Sequence, residues 1–206
     1  MDTRRRSSPR LTLRSIVLIV TVTFLATLAV RGAIDGYWGG GGLPGARKVC
    51  ADEPLPSGIH QVDYLYLSIF TNAQTGIDFY QPANFTVPSH TLVHFTIENH
   101  DNGSSTVASE YGQVCGTVND TMDWGNVTTS QVDPADVSHT LTITDGPYVG
   151  FNIPVPPAPR SGSHSTVVTF TAFFNDTGTF HWKCEANCGE TQMGVDGKMS
   201  GLFTVI

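Results

Sequence analysis

From about residue 60 onwards, apolar and polar residues alternate along several short stretches of the chain. Val93, Phe95 and Ile97 are apolar and the residues between them are polar, which is the pattern of a β-strand with one buried face. Similar stretches rich in Val, Ile, Thr and aromatic residues occur at 62–70, 136–143, 166–174, 179–184 and 202–206. Short strands with turn residues between them and no helical periodicity predict an all-β domain over 59–206, folded as a β-sandwich.

The stretch 104–134 interrupts this alternating pattern. It is polar, rich in Gly, Asp, Asn and Thr, and shows little periodicity. We therefore expect a long insertion within the β domain. Loops of this length are uncommon inside compact domains, and they are usually either functional or mobile.

The N-terminal region predicts a membrane anchor joined to the domain by a tether. Residues 15–30 form an uncharged, mostly apolar run of sixteen residues that follows five arginines in 1–14. This length falls between the centre of a signal peptide and the about 17–25 residues of a membrane span. Because no clean cleavage site follows, we favour an uncleaved transmembrane helix over 15–31, with a cleaved signal peptide as the alternative. The Gly- and Pro-rich residues 32–58 then form a flexible linker.

The distribution of charge indicates where the chain lies and what it does not bind. Arginines before the anchor keep 1–14 in the cytoplasm, so the domain lies outside the cytoplasmic membrane. After Arg31, 17 acidic residues face five basic ones, a balance of −12. An acidic domain is a poor partner for nucleic acid, and we expect none. The acidic surface either steers a basic redox partner or simply keeps the domain soluble.

Strand parity separates one histidine from the others. His139 falls on the same face as the apolar Leu141 and Ile143, because alternate side chains of a strand point to the same side. His181, by contrast, points away from the apolar face that ends at Cys184. A histidine on an apolar face is more often a hydrogen-bonded core residue than a ligand, so both roles stay open for His139.

The C-terminal part of the domain carries a cluster of sulfur atoms. Cys184 ends a predicted strand, Cys188 follows four residues later, and Met199 precedes the final strand. Thiolate and thioether sulfur are soft ligands that select copper over magnesium, calcium or manganese. The sequence therefore predicts a copper-binding loop between the last two strands.

This loop resembles the metal loop of cupredoxins, in particular the Cu-A domain of subunit II of haem-copper oxidases. Cys184 and Cys188 match the C-x-x-x-C-G pattern of that family, and Met199 stands where cupredoxins place an axial methionine. The segment Asp136-Val-Ser-His139 is similar to the one that carries the upstream histidine ligand. The resemblance implies a cupredoxin-like Greek-key β-sandwich or barrel that holds copper through His139, Cys184, Cys188 and Met199.

The loop departs from the Cu-A pattern at one ligand position. Cu-A domains carry a second histidine shortly after the second cysteine, whereas no histidine lies between Cys188 and Met199. Gln192 stands at the corresponding spacing, and Met193 supplies an extra thioether. We therefore expect a mononuclear copper site, with Met193 and Gln192 as less favoured ligands and a binuclear Cu-A centre as the alternative.

The cysteines also allow an interpretation without metal. Cys184 and Cys188 would form a disulfide in an oxidising compartment, and Cys50 and Cys115 would form a second one or stay without a role. The chain would then be a cupredoxin-like interaction domain.

The favoured prediction is a membrane-anchored, extracytoplasmic copper protein that transfers single electrons. By resemblance, it relays electrons between a redox partner such as a cytochrome and an oxidase subunit I, and it is not catalytic by itself. Its contact with the lipid bilayer is made through the N-terminal anchor. A copper storage or delivery protein is the alternative, because a sulfur-rich, histidine-poor loop also suits cuprous copper.

Overall fold

The computed structural model describes residue 55 and the ranges 58–59, 61–160, 164–188 and 195–206. The predicted cytoplasmic tail, the anchor and most of the linker lie outside the described residues, and so do Cys50, Gln192 and Met193. Within the described ranges, no helix has both the length and the apolar character needed to cross a membrane.

The described residues form eleven strands, which are arranged in two sheets. The strands are β1 (Val62–Asn72), β2 (Ile77–Gln81), β3 (Phe85–Val87), β4 (Leu92–Asn99), β5 (Met122–Trp124), β6 (Val127–Thr129), β7 (His139–Ile143), β8 (Asn152–Val155), β9 (Thr166–Phe173), β10 (Gly178–Lys183) and β11 (Ser200–Val205). The first sheet has the order β2-β1-β4-β9-β5-β6 and the second has the order β3-β11-β10-β7-β8. The pairs β1–β4 and β3–β11 are parallel, and the other pairs are antiparallel.

The alternation predicted for β4 is confirmed by its burial. Val93, Phe95 and Ile97 are buried, while the residues between them are partly exposed. Buried side chains from both sheets form one continuous hydrophobic core. The prediction of an all-β sandwich is therefore confirmed.

Aromatic side chains join the two sheets across this core. Phe95 of β4 stacks on Phe170 of β9 with ring centroids 4.7 Å apart, and Phe85 of β3 packs edge-on against Phe95 at 6.5 Å. Trp182 of β10 contacts Tyr80 of β2 with centroids 4.7 Å apart. Burying one such side chain stabilises the fold by about 1.5–3 kcal/mol. The contacts of Trp182 thus fix β10, the strand that leads to the first cysteine of the sulfur cluster.

A close backbone approach holds the same tryptophan in place. Nε1 of Trp182 donates a hydrogen bond of 2.8 Å to the carbonyl oxygen of Ala83. Gly201 lies opposite Trp182 in β11, and a Cβ atom at position 201 would lie 2.1 Å from that oxygen. Position 201 therefore requires glycine, because any side chain would displace the Ala83 carbonyl.

The segment 104–134 is more ordered than its sequence pattern predicts. It contributes β5 and β6, which extend the first sheet beyond β9. Its side chains Val114, Met122 and Val132 are buried in the common core. Each of its strands spans three residues, which is too short to reveal a period of two along the sequence.

The same segment covers the outer face of β7, all five residues of which are buried. Asn152 of β8 accepts a hydrogen bond of 2.7 Å from Oγ1 of Thr142 and donates to the carbonyl oxygens of Tyr111 and Gln113. The amide of Asn152 and the hydroxyl of Thr142 therefore have hydrogen-bond partners within the protein. The strand that carries the candidate histidine is enclosed on both sides.

Candidate metal centre

Three of the predicted ligands lie close together in the protein interior, next to strands of the second sheet. His139 begins β7, Cys184 directly follows β10, and Cys188 lies four residues further along. Nδ1 of His139 lies 3.2 Å from Sγ of Cys188 and 4.0 Å from Sγ of Cys184. The two sulfur atoms are 3.1 Å apart, and all three side chains are buried. Because β7 pairs with β10, residues 45 positions apart in the chain become neighbours.

Both cysteines of this group are free thiols. Their Sγ–Sγ distance of 3.1 Å is well beyond the about 2.05 Å of a disulfide bond. The predicted alternative, a disulfide between Cys184 and Cys188, is therefore not formed in this structure. Cys115 is disulfide-bonded, and Cys50, its predicted partner, lies outside the described residues.

Met199 lies next to the first cysteine through the backbone. The amide of Cys184 donates a hydrogen bond of 2.8 Å to the carbonyl oxygen of Met199, which directly precedes β11. The Met199 side chain is fully buried in the same hydrophobic core as both cysteines. The structure thus places the predicted axial ligand at the junction where the metal loop ends, while Gln192 and Met193 fall outside the described part of that loop.

Backbone and hydroxyl groups fix the start of the cysteine loop. The amide of Thr140 donates to Sγ of Cys184 at 3.3 Å, and the amide of Glu185 donates to Oγ1 of Thr140 at 2.8 Å. The amide of Asn187 donates to Oγ of Ser105 at 3.2 Å, so the 104–134 segment also holds this loop. An amide hydrogen bond to sulfur favours the thiolate form that a metal requires.

The imidazole of His139 is held on its far side by a carboxylate. Nε2 donates a hydrogen bond of 3.1 Å to Oδ2 of Asp101, because a carboxylate oxygen can only accept. The same carboxylate accepts from Oγ of Ser138 and from the amide of Gly103. This arrangement keeps the proton on Nε2 and turns Nδ1 towards the sulfur atoms.

The two thiols titrate as a coupled pair, in which the pKa of Cys184 is lowered and that of Cys188 is raised. Burial opposes the charged form of Cys184, but hydrogen bonds from Cys188 and His139 outweigh it and lower the pKa of Cys184 to about 5. The hydrogen bond to Cys184, followed by burial, raises the pKa of Cys188 far above that of an ordinary thiol. Without a metal, the pair therefore holds one thiolate and one thiol at neutral pH.

The pKa values of His139 and Asp101 are shifted in the directions that favour an ion pair. Burial lowers the pKa of His139, but the contacts with Asp101 and Cys184 outweigh it and raise the pKa to about 9. The hydrogen bond from His139 exceeds the effect of burial and lowers the pKa of Asp101 to about 2. Both shifts favour the charged forms, an imidazolium beside the Cys184 thiolate and the Asp101 carboxylate.

Two more side chains from β2 approach the centre. The hydroxyl of Tyr80 donates to the carbonyl oxygen of Thr140 at 3.2 Å, and burial, followed by the negative charge of Cys184, raises the pKa of Tyr80 well above the usual value. Asp78 belongs to a cluster with Asp101 and His139 in which the ligand atoms lie within 4.8 Å of one another. Burial raises the pKa of Asp78.

The other described histidines stay away from the sulfur atoms. His181 is exposed and pairs with Asp145 at 2.7 Å, and His94 bonds to Thr171, so both point outwards as strand parity predicts. His90, His100 and His164 are exposed. Among the residues that the structure describes, His139 is therefore the histidine placed to act with the two cysteines.

Sequence reasoning did not assign Asp101, which completes the site. The residue lies two positions after β4, and nothing in the local pattern indicates that it meets a histidine 38 residues later. The available sequence signal is the short polar segment Asn99-His-Asp101 at the end of a half-buried strand. Polar residues at the end of such a strand are candidates for contact with a site at the same edge of the sandwich.

Comparisons with known proteins leave the family open. No family model matches the chain, and no curated protein matches it. Among solved structures, reduced rusticyanin at 1.9 Å is 13% identical with a TM-score of 0.36, and the match covers 71% of this chain and 81% of that chain. Rusticyanin from Thiobacillus ferrooxidans is 14% identical with a TM-score of 0.34, with 71% and 79% covered. A purple cupredoxin from Nitrosopumilus maritimus is 16% identical with a TM-score of 0.28, with 68% and 98% covered. These identities and TM-scores are too low to assign a family or a function. A proposal about function must therefore rest on the geometry of the site.

Proposed function

We propose that this chain is a copper-binding electron-transfer protein of the cupredoxin type. The observation that carries the proposal is the convergence of His139 Nδ1 with Sγ of Cys184 and Cys188 in a buried position of a β-sandwich. Two sulfur atoms and one imidazole nitrogen from a rigid scaffold are a donor set that favours copper in electron-transfer sites. Burial of all three ligands keeps bulk water away from such a site.

The residues present fit copper better than the common hard cations. Magnesium, calcium and manganese prefer oxygen ligands, whereas this group offers two thiolates and an imidazole. Zinc also accepts cysteine and histidine, so it is the main competing ion. The backbone of Met199 is hydrogen-bonded to that of Cys184, and its side chain is buried. A thioether is the weak axial ligand of copper electron-transfer sites, so Met199 also supports copper. When bound, copper supplies a one-electron change of oxidation state.

The chain's own residues hold the ligands in one geometry. Pairing of β7 with β10 fixes His139 against Cys184, and the amide of Thr140 stabilises negative charge on the Cys184 sulfur. Asp101 fixes the orientation of the imidazole. A scaffold that allows little movement of the ligands lowers the reorganisation that accompanies electron transfer.

We propose a mononuclear centre held by His139, Cys184, Cys188 and Met199. A binuclear Cu-A centre needs a second imidazole, and among the described residues His139 alone reaches the two sulfur atoms. The likeness to oxidase subunit II is carried by the C-x-x-x-C-G spacing and the upstream histidine segment. The binuclear centre therefore becomes an outcome of the experiment below.

The position of the domain in the cell is part of the proposal. The arginine-rich start and the apolar run at 15–31 support a single anchor in the cytoplasmic membrane, with the domain outside the cytoplasm. The Gly- and Pro-rich residues 32–58 support a tether that lets the domain reach its partners. A cytochrome and an oxidase subunit I fit as electron donor and acceptor.

Copper storage or delivery is the second candidate. It is favoured by the excess of sulfur over imidazole in the described ligand group, because thiolates stabilise cuprous copper. Such a protein binds and releases Cu(I) and does not cycle between oxidation states.

Copper loading of the purified full-length chain in detergent distinguishes these functions. With reduced thiols, the proposal predicts one bound copper, an intense thiolate-to-copper absorption band and the EPR signal of a single Cu(II). Binding of Cu(I) without stable Cu(II) would support delivery, and a mixed-valence EPR signal shared by two ions would support Cu-A. Failure to bind copper with intact thiols, or a preference for zinc, would contradict a copper function and leave an interaction domain.

A further inference from the structure

We propose that Asp101 is a positioning residue that sets the reduction potential of the metal centre through His139. This inference rests on the proposed copper function and names a residue that the ligand set does not include. Carboxylates that accept a hydrogen bond from a ligating histidine fix its ring and raise its basicity. Three features of the structure support this role for Asp101.

The contact is direct, and its histidine side is enclosed. Nε2 of His139 lies 3.1 Å from Oδ2 of Asp101, and the side chain of His139 is 1% exposed. The imidazole has no alternative partner in solvent, so its Nε2 proton is directed at this carboxylate. Nδ1, on the opposite side of the ring, is thereby left to face Cys188 at 3.2 Å.

The carboxylate is itself fixed by its neighbours. Oδ2 accepts from Oγ of Ser138 at 3.2 Å, and Oδ1 accepts from the amide of Gly103 at 3.1 Å. Three hydrogen bonds, including the one from His139, hold the two oxygens in a single orientation. Because the Asp101 carboxylate is held by other groups, it fixes the orientation of the His139 ring.

The backbone of Asp101 is anchored to the core by an asparagine. Oδ1 of Asn99 accepts from the Asp101 amide at 3.0 Å, and Nδ2 of Asn99, a fully buried residue, donates to the carbonyl oxygen of Pro156 at 2.9 Å. The carbonyl oxygen of Asp101 accepts from the amide of Ala158 at 2.7 Å. Asn99 and Ala158 thus transmit the rigidity of the sandwich to the carboxylate.

The negative charge of Asp101 has a predictable electrical effect. A charge against Nε2–H increases electron donation from Nδ1, and this favours Cu(II) over Cu(I) because the cupric ion carries the greater charge. The carboxylate therefore lowers the reduction potential of the centre. Asp78 lies in the same cluster, so part of the negative field persists when Asp101 is changed.

The test compares two substitutions of Asp101 in the copper-loaded full-length chain. Asp101→Asn keeps an acceptor oxygen and removes the charge, and we expect an about tenfold shift in preference towards Cu(I), which raises the potential by about 59 mV. Asp101→Ala removes both, and we expect copper affinity to fall about 10- to 100-fold. The EPR and visible spectra of the alanine variant change as the imidazole loses its fixed orientation.

Two further variants separate positioning from general loss of structure. Asp145→Asn removes the carboxylate of the exposed pair with His181, and we expect its potential and affinity to equal those of the wild type. Ser138→Ala keeps the Asp101 charge and removes a competing donor, so we expect a lower potential, opposite in sign to Asp101→Asn. A protein in which Asp101 serves only the fold would not show this reversal.

The outcomes assign failure to one proposal or the other. Wild-type protein that binds copper, together with an unchanged potential in Asp101→Asn and wild-type affinity in Asp101→Ala, overturns the role of Asp101 and leaves the copper function standing. An equal rise of potential in Asp145→Asn also overturns it, because the effect would then be one of net charge. Wild-type protein that binds no copper overturns both.

Discussion

His139 and Cys188 are 49 residues apart in the chain, yet Nδ1 of the histidine lies 3.2 Å from Sγ of the cysteine. The contact exists because β7 and β10 are neighbours in the second sheet and the loop after β10 stays against β7, where the Glu185 amide donates to Oγ1 of Thr140. Neither Cys188 nor the neighbouring Cys184 is engaged in a disulfide. Two soft sulfur atoms and one directed imidazole nitrogen thereby lie together in the protein interior.

Substitution of the first cysteine tests which sulfur dominates the spectrum. Cys184 has the lowered pKa and the amide hydrogen bond from Thr140, so we expect Cys184→Ser to remove most of the thiolate-to-copper band. Cys188→Ser should retain more of the band, with a shift, because it keeps the Cys184 thiolate and its hydrogen bond from the Thr140 amide. His181→Asn, on the outward face of β10, is the matched control and should leave the absorption unchanged.

Metal binding should release about two protons per chain at pH 7. Cys184 is already a thiolate at this pH, whereas Cys188 keeps its proton and His139, with a pKa of about 9, is an imidazolium. A metal requires the deprotonated forms of both, so two protons leave. Titration of the reduced chain with copper in a weakly buffered solution measures the release. It should fall towards one proton as the pH rises through 9, and release that is constant with pH would contradict this assignment.

The stability of the metal-free domain should follow a defined pH profile. The lowered pKa of Cys184 contributes stability that is present above its ordinary pKa of 9.0 and is lost as the pH falls through about 5. The raised pKa of His139 contributes stability that is present below 6.5 and is lost as the pH rises through about 9. Between 6.5 and 9 the two changes cancel, because folding only moves a proton from the thiol to the imidazole.

The free energy of unfolding should therefore rise by about 2 kcal/mol between pH 5 and 6.5, since one proton changes stability by about 1.4 kcal/mol per pH unit. It should then stay level to pH 9. Above pH 9 it should fall, because the raised pKa of Cys188 keeps the folded thiol protonated while the unfolded thiol ionises. Urea unfolding of the reduced, metal-free chain at a series of pH values measures the profile. A Cys184→Ser variant should lose the rise below pH 6.5.

Replacement of Gly201 should destabilise the sandwich. A Cβ at this position would lie 2.1 Å from the Ala83 carbonyl oxygen, which accepts the hydrogen bond from the Trp182 indole. We expect Gly201→Ala to lower the free energy of unfolding by about 1–3 kcal/mol and to expose the tryptophan to quenchers. Ile206→Ala, which changes an exposed side chain in the same region, should have little effect. Unfolding in urea, followed by tryptophan fluorescence, compares the two.

The candidate ligands could be predicted from the sequence because strand parity and the spacing of the cysteines are local features and the loop resembles a known metal loop. Strand parity alone places His139 on a buried face and His181 on the outer one, and the structure agrees with both. The spacing of the cysteines in one short loop allows their sulfur atoms to approach each other, and they lie 3.1 Å apart.

The surroundings of the ligands depend on long-range contacts that local patterns do not contain. Asp101 follows β4 and His139 begins β7, with the segment 104–134 between them in the chain. The two residues meet only because the fold brings the end of β4 next to the start of β7. The two strands of that segment span three residues each, which is too short for a recognisable alternation of apolar and polar residues. Burial of both faces of β7 follows from its packing, which no periodicity within β7 predicts.

The identity of the single coordinating imidazole is the most direct test of the account. Pulsed EPR of the copper-loaded full-length chain, labelled with ¹⁵N-histidine, counts the histidine nitrogens bound to Cu(II). We expect one strongly coupled nitrogen in the wild type and none in a His139→Gln variant that still folds. Two coordinated histidines in the wild type, or a coupled nitrogen that persists after His139 is replaced, would contradict the proposed centre.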